Sequence, residues 1–161
     1  MAIKFTNKRD LDLEFERFEA RYNEKAVEML CWLGEKMVSY AREDRSNANH
    51  FQDQTGNLRN SIGYIVVFNG RVVQKAFNGN TPSRTKPGDP AKAHREGLNY
   101  AQSIVSSLEK DKTYLVLTAG MDYAIAVEAK GYDVITGTGN WVESEAIANM
   151  EKFKRFLLSK K

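Results

Sequence analysis

The feature that most restricts how this chain can fold is a regular row of apolar residues near its start. Apolar residues recur at steps of three or four, at Leu11, Phe15, Phe18, Tyr22, Ala26, Met29, Leu33, Met37 and Tyr40. This spacing places them on one face of an α-helix. We therefore predict a long helix from about residue 10 to residue 42, with Asp10 able to cap its start.

The length of this helix raises a packing problem. At 1.5 Å per residue it would extend for about 50 Å, whereas a compact globule of this chain length has a diameter of about 40 Å. The helix must therefore bend, for which Gly34 is a candidate position, or overhang the rest of the domain. An overhanging apolar stripe would require a second subunit. The alternative is a helix broken in two that packs on its own sheet.

A β-hairpin is the clearest local prediction. The β-rich segments 61–68 and 71–77 are separated by Asn69-Gly70, a dipeptide that favours a two-residue turn because both turn positions need positive φ. Such a turn sets the register, and the expected pairs are Phe68 with Arg71, Val66 with Val73 and Ile62 with Phe77. Apolar residues occupy both faces near the turn, so we expect the hairpin to be covered on both sides or extended by another strand.

Between residues 42 and 128, loops are predicted to alternate with short elements. Residues 42–57 are polar and predict a loop, and residues 79–92 contain all three prolines and predict an exposed one. A helix should follow, because apolar residues recur at Leu98, Ala101, Val105 and Leu108. We predict two further strands, from Thr113 to Thr118 and from Tyr123 to Glu128, the second because large residues alternate with alanines.

The C-terminal part is predicted to be a helix over residues 141–159, after a glycine-rich link at residues 131–139. Asn140 followed by Glu143 is typical of a capping box at a helix start. The whole pattern predicts one α+β domain over residues 1–161, with the long N-terminal helix and the C-terminal helix packed on a mostly antiparallel sheet of about four strands. The sheet would span residues 61–128, with an inserted loop and helix at residues 79–109.

The sequence contains no clear arrangement for metal binding or nucleophilic catalysis. His50 and His94 are the two histidines, and neither has a second ligand at metal-binding spacing, so both are expected to be solvated. Cys31 is the single cysteine and is expected to be a small core residue of the long helix. We expect no enzyme activity, no cofactor, no metal ion and no small-molecule substrate.

A hydrolase is the least favoured hypothesis for this chain. Its only candidates are three carboxylates that lie close together in sequence, Asp122, Glu128 and Asp133. Acidic residues in turns and at strand ends are usually solvated or hydrogen-bonded to the backbone, so they are weak candidates for general acid–base work.

Charge gives only a weak argument for nucleic acid binding, since the formal net charge is +3. Basic residues cluster at two places, around the proline loop and at the C-terminus: Arg84, Lys86, Lys92, Arg95, Lys152, Lys154, Arg155, Lys160 and Lys161. We interpret them as solubilising and helix-end charges. The alternative is a nucleic-acid-binding module that uses the basic loop 84–95 and the C-terminal tail. No segment has the apolar run of a signal peptide or a membrane span, so we expect the protein to be made and kept in the cytosol, or to leave only by cell lysis, and to make no membrane contact.

Two short motifs resemble a known family. The segment Thr55-Gly56-Asn57-Leu58-Arg59-Asn60-Ser61-Ile62 resembles the Thr-Gly-x-Leu-x-x-Ser-Ile motif of siphophage minor tail components, described as tail-completion or head–tail joining (neck) proteins. The later segment 115–128 resembles that family's strand, small-residue turn, Tyr-Ala and Val-Glu. Two departures are Glu128-Ala129-Lys130-Gly131-Tyr132, where the family has an aromatic residue and Gly-Thr, and the long segment from Asn78 to Lys112.

The resemblance implies a non-enzymatic structural protein of a phage or prophage particle, which forms or joins a ring at the tail terminus or head–tail connector. It implies self-association, contact with other tail or connector proteins, possible weak contact with DNA, and location in the assembled virion. The interaction candidates are Thr55, Gly56, Leu58, Arg59, Arg84, Lys86, Tyr123 and Glu128.

The residues of the motifs also have a physical interpretation that does not depend on the family. Gly56 permits a tight turn, Leu58 and Ile62 are expected to anchor in the core, and Arg59 is expected to reach outward. Ser61 can hydrogen-bond nearby backbone. The turn at Gly120 should bring Tyr123 to a sheet edge.

Overall fold

A computed structural model describes residues 8–43 and 50–159 of the chain. Its first helix, α1 (Lys8–Arg42), is continuous over 35 residues and is therefore about 52 Å long at the usual helical rise. The predicted long helix is confirmed, and the alternative of a helix broken in two is wrong. The chain is already helical at Lys8, so Asp10 lies inside the helix and is not its N-cap residue.

The sheet contains three antiparallel strands instead of the expected four or so. A short helix α2 (Asn57–Ser61) leads directly into β1 (Ile62–Phe68), which forms the hairpin with β2 (Arg71–Ala76). The third strand, β3 (Tyr114–Ala119), pairs with the other edge of β1, which gives the order β2-β1-β3. The hairpin is thus extended by a neighbouring strand, as expected, and the fold is α+β with a mostly helical content.

The hairpin forms at the predicted turn, but its register changes after two residue pairs. Phe68 pairs with Arg71 and Val67 with Val72, whereas Val66 pairs with Gln74 because of an irregularity between Val66 and Val67. The predicted pairs Val66 with Val73 and Ile62 with Phe77 are therefore wrong. A bulge inserts one extra residue into one strand and shifts every later pair, and sequence alternation carries little signal for it.

Two helices cover the two faces of the sheet. Side chains of Ile62, Tyr64 and Val66 face a core shared with α1, whereas Ile65 and Val67 face the core under the third helix. That helix is α3 (Pro90–Val105), and the side chain of Asp89 caps its N-terminus. The hairpin is therefore covered on both sides, as expected, because the central strand β1 alternates its residues between two helix-covered faces.

Gly34 has a packing role in α1. A Cβ at this position would lie 2.5 Å from a ring carbon of buried Tyr64, so only glycine lets the helix pass this close to the sheet. The Tyr64 hydroxyl donates a hydrogen bond of 2.9 Å to Glu35 Oε1 on the same helix. Cys31 is partly buried against this core, in line with its expected role.

The predicted strand from Tyr123 to Glu128 is wrong, since a helix, α4 (Ala124–Ala129), occupies this segment. Ala124 is buried and Val127, three residues later, packs against the core, whereas Ile125 is exposed. Large residues alternating with alanine fit a strand, but they also fit one short amphipathic helical turn, and alanine has the highest helix propensity.

The last helix, α5 (Thr136–Ser159), begins earlier than predicted. Asn140 lies inside it, so the predicted capping box with Glu143 is wrong. The Trp141 ring of α5 stacks on the Tyr40 ring of α1, with centroids 4.7 Å apart. Among the described residues, no helix is long and apolar enough to cross a membrane.

Candidate interaction site

The first motif folds into a tight turn that is held by a buried carboxylate. Gly56 has a φ of 76° and precedes α2 as its N-cap, a left-handed conformation that favours glycine. The buried Asp53 accepts hydrogen bonds from the backbone N–H groups of Gly56 at 2.9 Å and Arg59 at 2.8 Å. Asp53 therefore caps α2, a role that could not be assigned to it from the sequence.

Arg59 is buried, so the expectation that it reaches outward is wrong. Its guanidinium carbon lies 5.3 Å from the centre of the Phe51 ring, in cation–π geometry. Burial lowers the pKa of Arg59, and the nearby Asp53 charge acts in the opposite direction. Arg59 is thus part of the internal frame and is not a surface contact.

Arg42, at the end of α1, joins this frame to the sheet. Its Nε donates to the Arg59 carbonyl oxygen at 3.1 Å and its Nη2 donates to the Ile62 carbonyl oxygen at 2.5 Å. Burial lowers the pKa of Arg42, and Glu35 opposes this effect. Sequence reasoning missed this residue because an arginine in the last turn of a helix is ordinarily a solvated, dipole-compensating charge.

The proline loop is fastened to the first motif through its backbone. Asn60 is buried and uses both ends of its amide on Thr81: Nδ2 donates to the Thr81 carbonyl at 3.0 Å, and Oδ1 accepts from the Thr81 N–H at 2.7 Å. The Gln54 carbonyl accepts from the backbone N–H groups of Arg84 and Thr85. Backbone fastening leaves the side chains of Arg84 and Lys86 exposed, as predicted for this loop.

The structure brings the two motifs together at one end of the sheet; we call residues 53–62 and 119–123 the motif junction. The Gly120 N–H donates to the Ser61 carbonyl at 3.4 Å. Burial raises the pKa of Tyr123, as does the Asp53 charge, whereas a side-chain hydrogen bond with Thr55 lowers it. Tyr123, which follows the edge strand β3, is thus in contact with the first motif while a large part of its ring remains exposed.

The remaining residues of the first motif adopt the roles expected of them. Leu58 and Ile62 are buried in the core on the α1 side. The Ser61 hydroxyl donates to the Leu58 carbonyl at 2.8 Å. The motif therefore acts as a structural clasp between α1, the sheet and the proline loop.

Glu128 lies apart from the motif junction, at the start of α5. Its Oε1 accepts hydrogen bonds from the backbone N–H groups of Ile135 at 3.0 Å and Thr136 at 2.9 Å and from the Thr136 hydroxyl at 2.8 Å. Burial would raise the pKa of Glu128, but these donors outweigh it and lower the pKa below its ordinary value. Glu128 therefore caps the start of α5, the role that was predicted for Asn140.

The carboxylates of the hydrolase hypothesis are mostly engaged in structure. Asp133 Oδ1 accepts from the Gly137 N–H at 2.7 Å, and Glu128 holds the same helix start. Asp122 is exposed on the turn before α4. Within residues 8–43 and 50–159, no group of three or more histidine, cysteine, aspartate or glutamate side chains is placed to hold a metal ion.

The two histidines are not solvated as expected. His50 is buried, packs edge-to-face on Phe51 at 4.7 Å and forms an isolated parallel bridge with Asp133. His94 is partly buried, and its Nε2 lies 2.5 Å from the Gly79 carbonyl oxygen. The predicted polar loop 42–57 is therefore partly internal at its described end, while residues 44–49 lie outside the described residues.

The most exposed apolar surface of α1 is its first half, which extends beyond the sheet. Every residue from Leu11 to Tyr22 is exposed, and the side chains of Phe15 and Phe18 are 64% and 63% exposed. We call Leu11, Phe15, Phe18 and Tyr22 the α1 stripe. The long helix was predicted either to bend or to overhang the rest of the domain, and in the structure its first half overhangs.

A second exposed apolar patch lies on α5. Ile147 and Met150 are 66% and 58% exposed, and the basic side chains that follow them are also exposed: Lys152, Lys154 and Arg155. Lys160 and Lys161, the rest of the predicted basic tail, lie outside the described residues.

No protein-family model, no curated protein and no solved structure matches this chain.

Proposed function

We propose that this chain is a non-enzymatic structural protein of a phage or prophage particle, which forms or joins a ring at the tail terminus or head–tail connector. It would be made in the bacterial host cytoplasm and reside in the virion after assembly, in contact with copies of itself and with other tail or connector proteins. The observation that carries the proposal is the exposed α1 stripe, because it is a continuous row of exposed apolar side chains along one helix.

The energetics of the stripe favour a protein partner. Burying one large apolar side chain contributes roughly 2 kcal/mol relative to leaving it in water. Phe15 and Phe18 lie in one row with Leu11 and Tyr22, on a segment of α1 that reaches past the sheet. Contiguous apolar patches on soluble proteins commonly mark interaction sites. A stripe of this kind suits an assembly subunit better than an isolated enzyme.

The clasp at the motif junction supports the same proposal. Its polar side chains, including Asp53, Asn60 and Arg42, form hydrogen bonds with backbone groups and so fix one segment to another. Such an arrangement makes a rigid frame, because paired polar groups hold segments that are distant in sequence. The resemblance of both motifs to siphophage minor tail components agrees with a frame of this type.

The proposal is tested in the phage or lysogen that encodes the chain. An early stop codon in the gene should give particles with separated heads and tails, or with tails that lack their normal end, by negative-stain electron microscopy. Expression of the intact chain from a plasmid should restore infectious particles, whereas the Phe15→Ser/Phe18→Ser variant should not. Normal titre and morphology without the chain would contradict the proposal.

Nucleic acid binding is the second candidate, and the exposed cations of the proline loop are the observation that favours it. Arg84, Lys86, Lys92 and Arg95 all have exposed side chains within one short segment. A module of this type would bind a labelled duplex or single strand with an affinity that falls steeply as salt rises, because bound cations are released from the phosphates. Fluorescence anisotropy at low salt that stays unchanged on adding the protein would remove this candidate.

A further inference from the structure

We propose that the α1 stripe binds the α1 stripe of a second copy, with the two helices antiparallel, so that the chain forms a two-fold symmetric dimer. This inference deepens the proposed function and rests on it, since it names one contact between copies. A two-fold contact is closed and joins copies only in pairs, so a ring would use a further contact elsewhere on the chain.

The stripe lies on the face of α1 that packs against another helix further along the chain. Tyr40 follows Tyr22 by 18 residues, which is about five full turns, so the two side chains leave α1 on the same side. The Tyr40 ring stacks on the Trp141 ring of α5 at 4.7 Å. This face of α1 therefore accepts a helix near its C-terminal end and is exposed over its first half. A second helix is the kind of partner that continues the same packing.

The stripe is self-complementary when two copies of α1 lie antiparallel. Its residues follow one another at steps of four, three and four, a spacing that is the same when read from either end. In the antiparallel pair, Phe15 faces Phe18 of the second copy. Leu11 then faces Tyr22 of the second copy, and both contacts occur twice. Every apolar residue of one row thus meets one of the other row, as a two-fold symmetric contact requires.

The apolar area of the stripe is sufficient for a weak dimer. Its residues are between 38% and 64% exposed, which corresponds to roughly 400 Å² per copy when a large residue exposes about 200 Å². Two copies, together with the side chains that flank the stripe, would bury roughly 1,000 Å², which is near the lower limit of specific interfaces. We therefore expect a reversible dimer that forms as the concentration of the chain rises.

The charges beside the stripe favour the antiparallel arrangement over the parallel one. In an antiparallel pair, Glu14 lies opposite Arg21 of the second copy, and Asp12 lies opposite Glu19. All four are exposed, and each pair occurs twice, so two attractions offset two repulsions. In a parallel pair, Glu14 lies opposite Glu19 on both flanks, and Arg21 lies opposite the uncharged Ala26. Charge therefore disfavours parallel pairing and leaves the antiparallel pair to be stabilised by its apolar row.

The exposed half of α1 has the length that this pairing needs. In the register that sets Phe15 against Phe18, Lys8 of the second copy lies level with Lys25. Lys8 is the first described residue of α1, and Val27 is the first residue of α1 that packs against the sheet core. The described part of the second helix therefore ends just before the segment of α1 that builds the domain.

A charge exchange between positions 14 and 21 of the full chain tests the contact. Glu14→Arg places two arginines opposite each other, and Arg21→Glu places two glutamates opposite each other. Each single variant should dimerise at least about fivefold more weakly than the wild type at low salt. The double variant Glu14→Arg/Arg21→Glu restores opposite charges and should dimerise within about twofold of the wild type. Sedimentation equilibrium measures the dissociation constants.

Two controls separate the contact from effects on the helix itself. Glu14 forms an ion pair of 2.7 Å with Arg17 of its own helix, so circular dichroism must show that each variant keeps the helix content of the wild type. Glu24→Arg makes the same charge change on the opposite side of α1, where the residue is exposed, and should dimerise like the wild type.

A wild-type chain that stays monomeric up to its solubility limit would overturn the inference. Dimerisation of the Glu14→Arg variant at wild-type strength would also overturn it, and stronger dimerisation would indicate a parallel pair, in which the new charge meets Glu19. A double variant that stays as weak as the single variants would overturn it as well. The proposed function fails separately, if particles made without the chain are normal, because the dimer is measured on the pure protein.

Discussion

At the level of single residues, the fold depends on a few buried or partly buried polar side chains that join segments distant in sequence. Asp53, Asn60 and Arg42 each bind backbone groups of another segment. Buried polar groups of this kind stabilise only when every donor and acceptor is paired. Their loss should therefore cost more than the loss of an exposed residue of the same type.

Asp53→Ala should lower the free energy of unfolding by about 3 kcal/mol. The substitution leaves the N–H groups of Gly56 and Arg59 without their acceptor and removes the charge beside the buried Arg59 guanidinium. Urea denaturation followed by circular dichroism measures the change. Asp122→Ala, at an exposed turn position, is the matched control and should change stability by less than about 0.5 kcal/mol. Equal effects of the two substitutions would contradict the capping role of Asp53.

Glu128→Gln should destabilise the chain at neutral pH by about 1 kcal/mol, because the carboxylate caps the start of α5. The folded-state pKa of Glu128 is lowered from its ordinary value of 4.5. A lowered pKa contributes stability that is present above the ordinary value and is lost as the pH falls through the folded-state pKa. The stability gap between wild type and variant should thus close in acid. A gap that is unchanged between pH 7 and acid would contradict this account.

At the level of elements, two glycines in helices provide an opposed pair of predictions. Gly34→Ala should destabilise, since its Cβ would lie 2.5 Å from the Tyr64 ring, even though alanine raises helix propensity. Gly139→Ala in α5, where a Cβ meets nothing within 4 Å, should stabilise by up to about 1 kcal/mol. Thermal unfolding of both variants beside the wild type tests the pair. Stabilisation by Gly34→Ala would show that α1 does not pass so close to Tyr64.

The elements that could be predicted from sequence are those with a long or unambiguous local pattern. The period of α1 and the Asn69-Gly70 turn are signals of this kind, and both were confirmed. The bulge in the hairpin was missed because the alternation of residues in the sequence carries little signal for one extra residue. The α4 helix was missed because a short alternating segment such as 123–128 fits the period of a strand and that of a helix. The start of α5 was missed because Glu128 reaches it from another element.

The candidate site was predictable in part for a similar reason. Gly56, Leu58 and Ser61 act through local backbone geometry, and their roles could be inferred from the motif itself. Arg59 could not, because its burial depends on Phe51 and Asp53 folding over it. The contact of Tyr123 with Thr55 likewise arises only when the two motifs meet in three dimensions.

At the level of the whole molecule, α1 divides into a half that builds the fold and a half that projects from it. The substitution Phe15→Ser/Phe18→Ser should therefore leave the unfolding temperature of the monomer within a few degrees of the wild type, because both rings are largely solvated already. The same variant should lose self-association. Differential scanning calorimetry and sedimentation velocity measure the two properties. A large fall in the unfolding temperature would mean that the stripe is part of the core.

The central claim is that this chain is an assembled component of a phage particle, and quantitative mass spectrometry of purified particles tests it most directly. Isotope-labelled peptides of the chain, added to particles separated on a density gradient, give the number of copies per particle relative to the major capsid protein. The account predicts a fixed number greater than one, as a ring requires, that is the same in independent preparations. Particles in which the capsid protein is abundant and this chain is undetectable would contradict it.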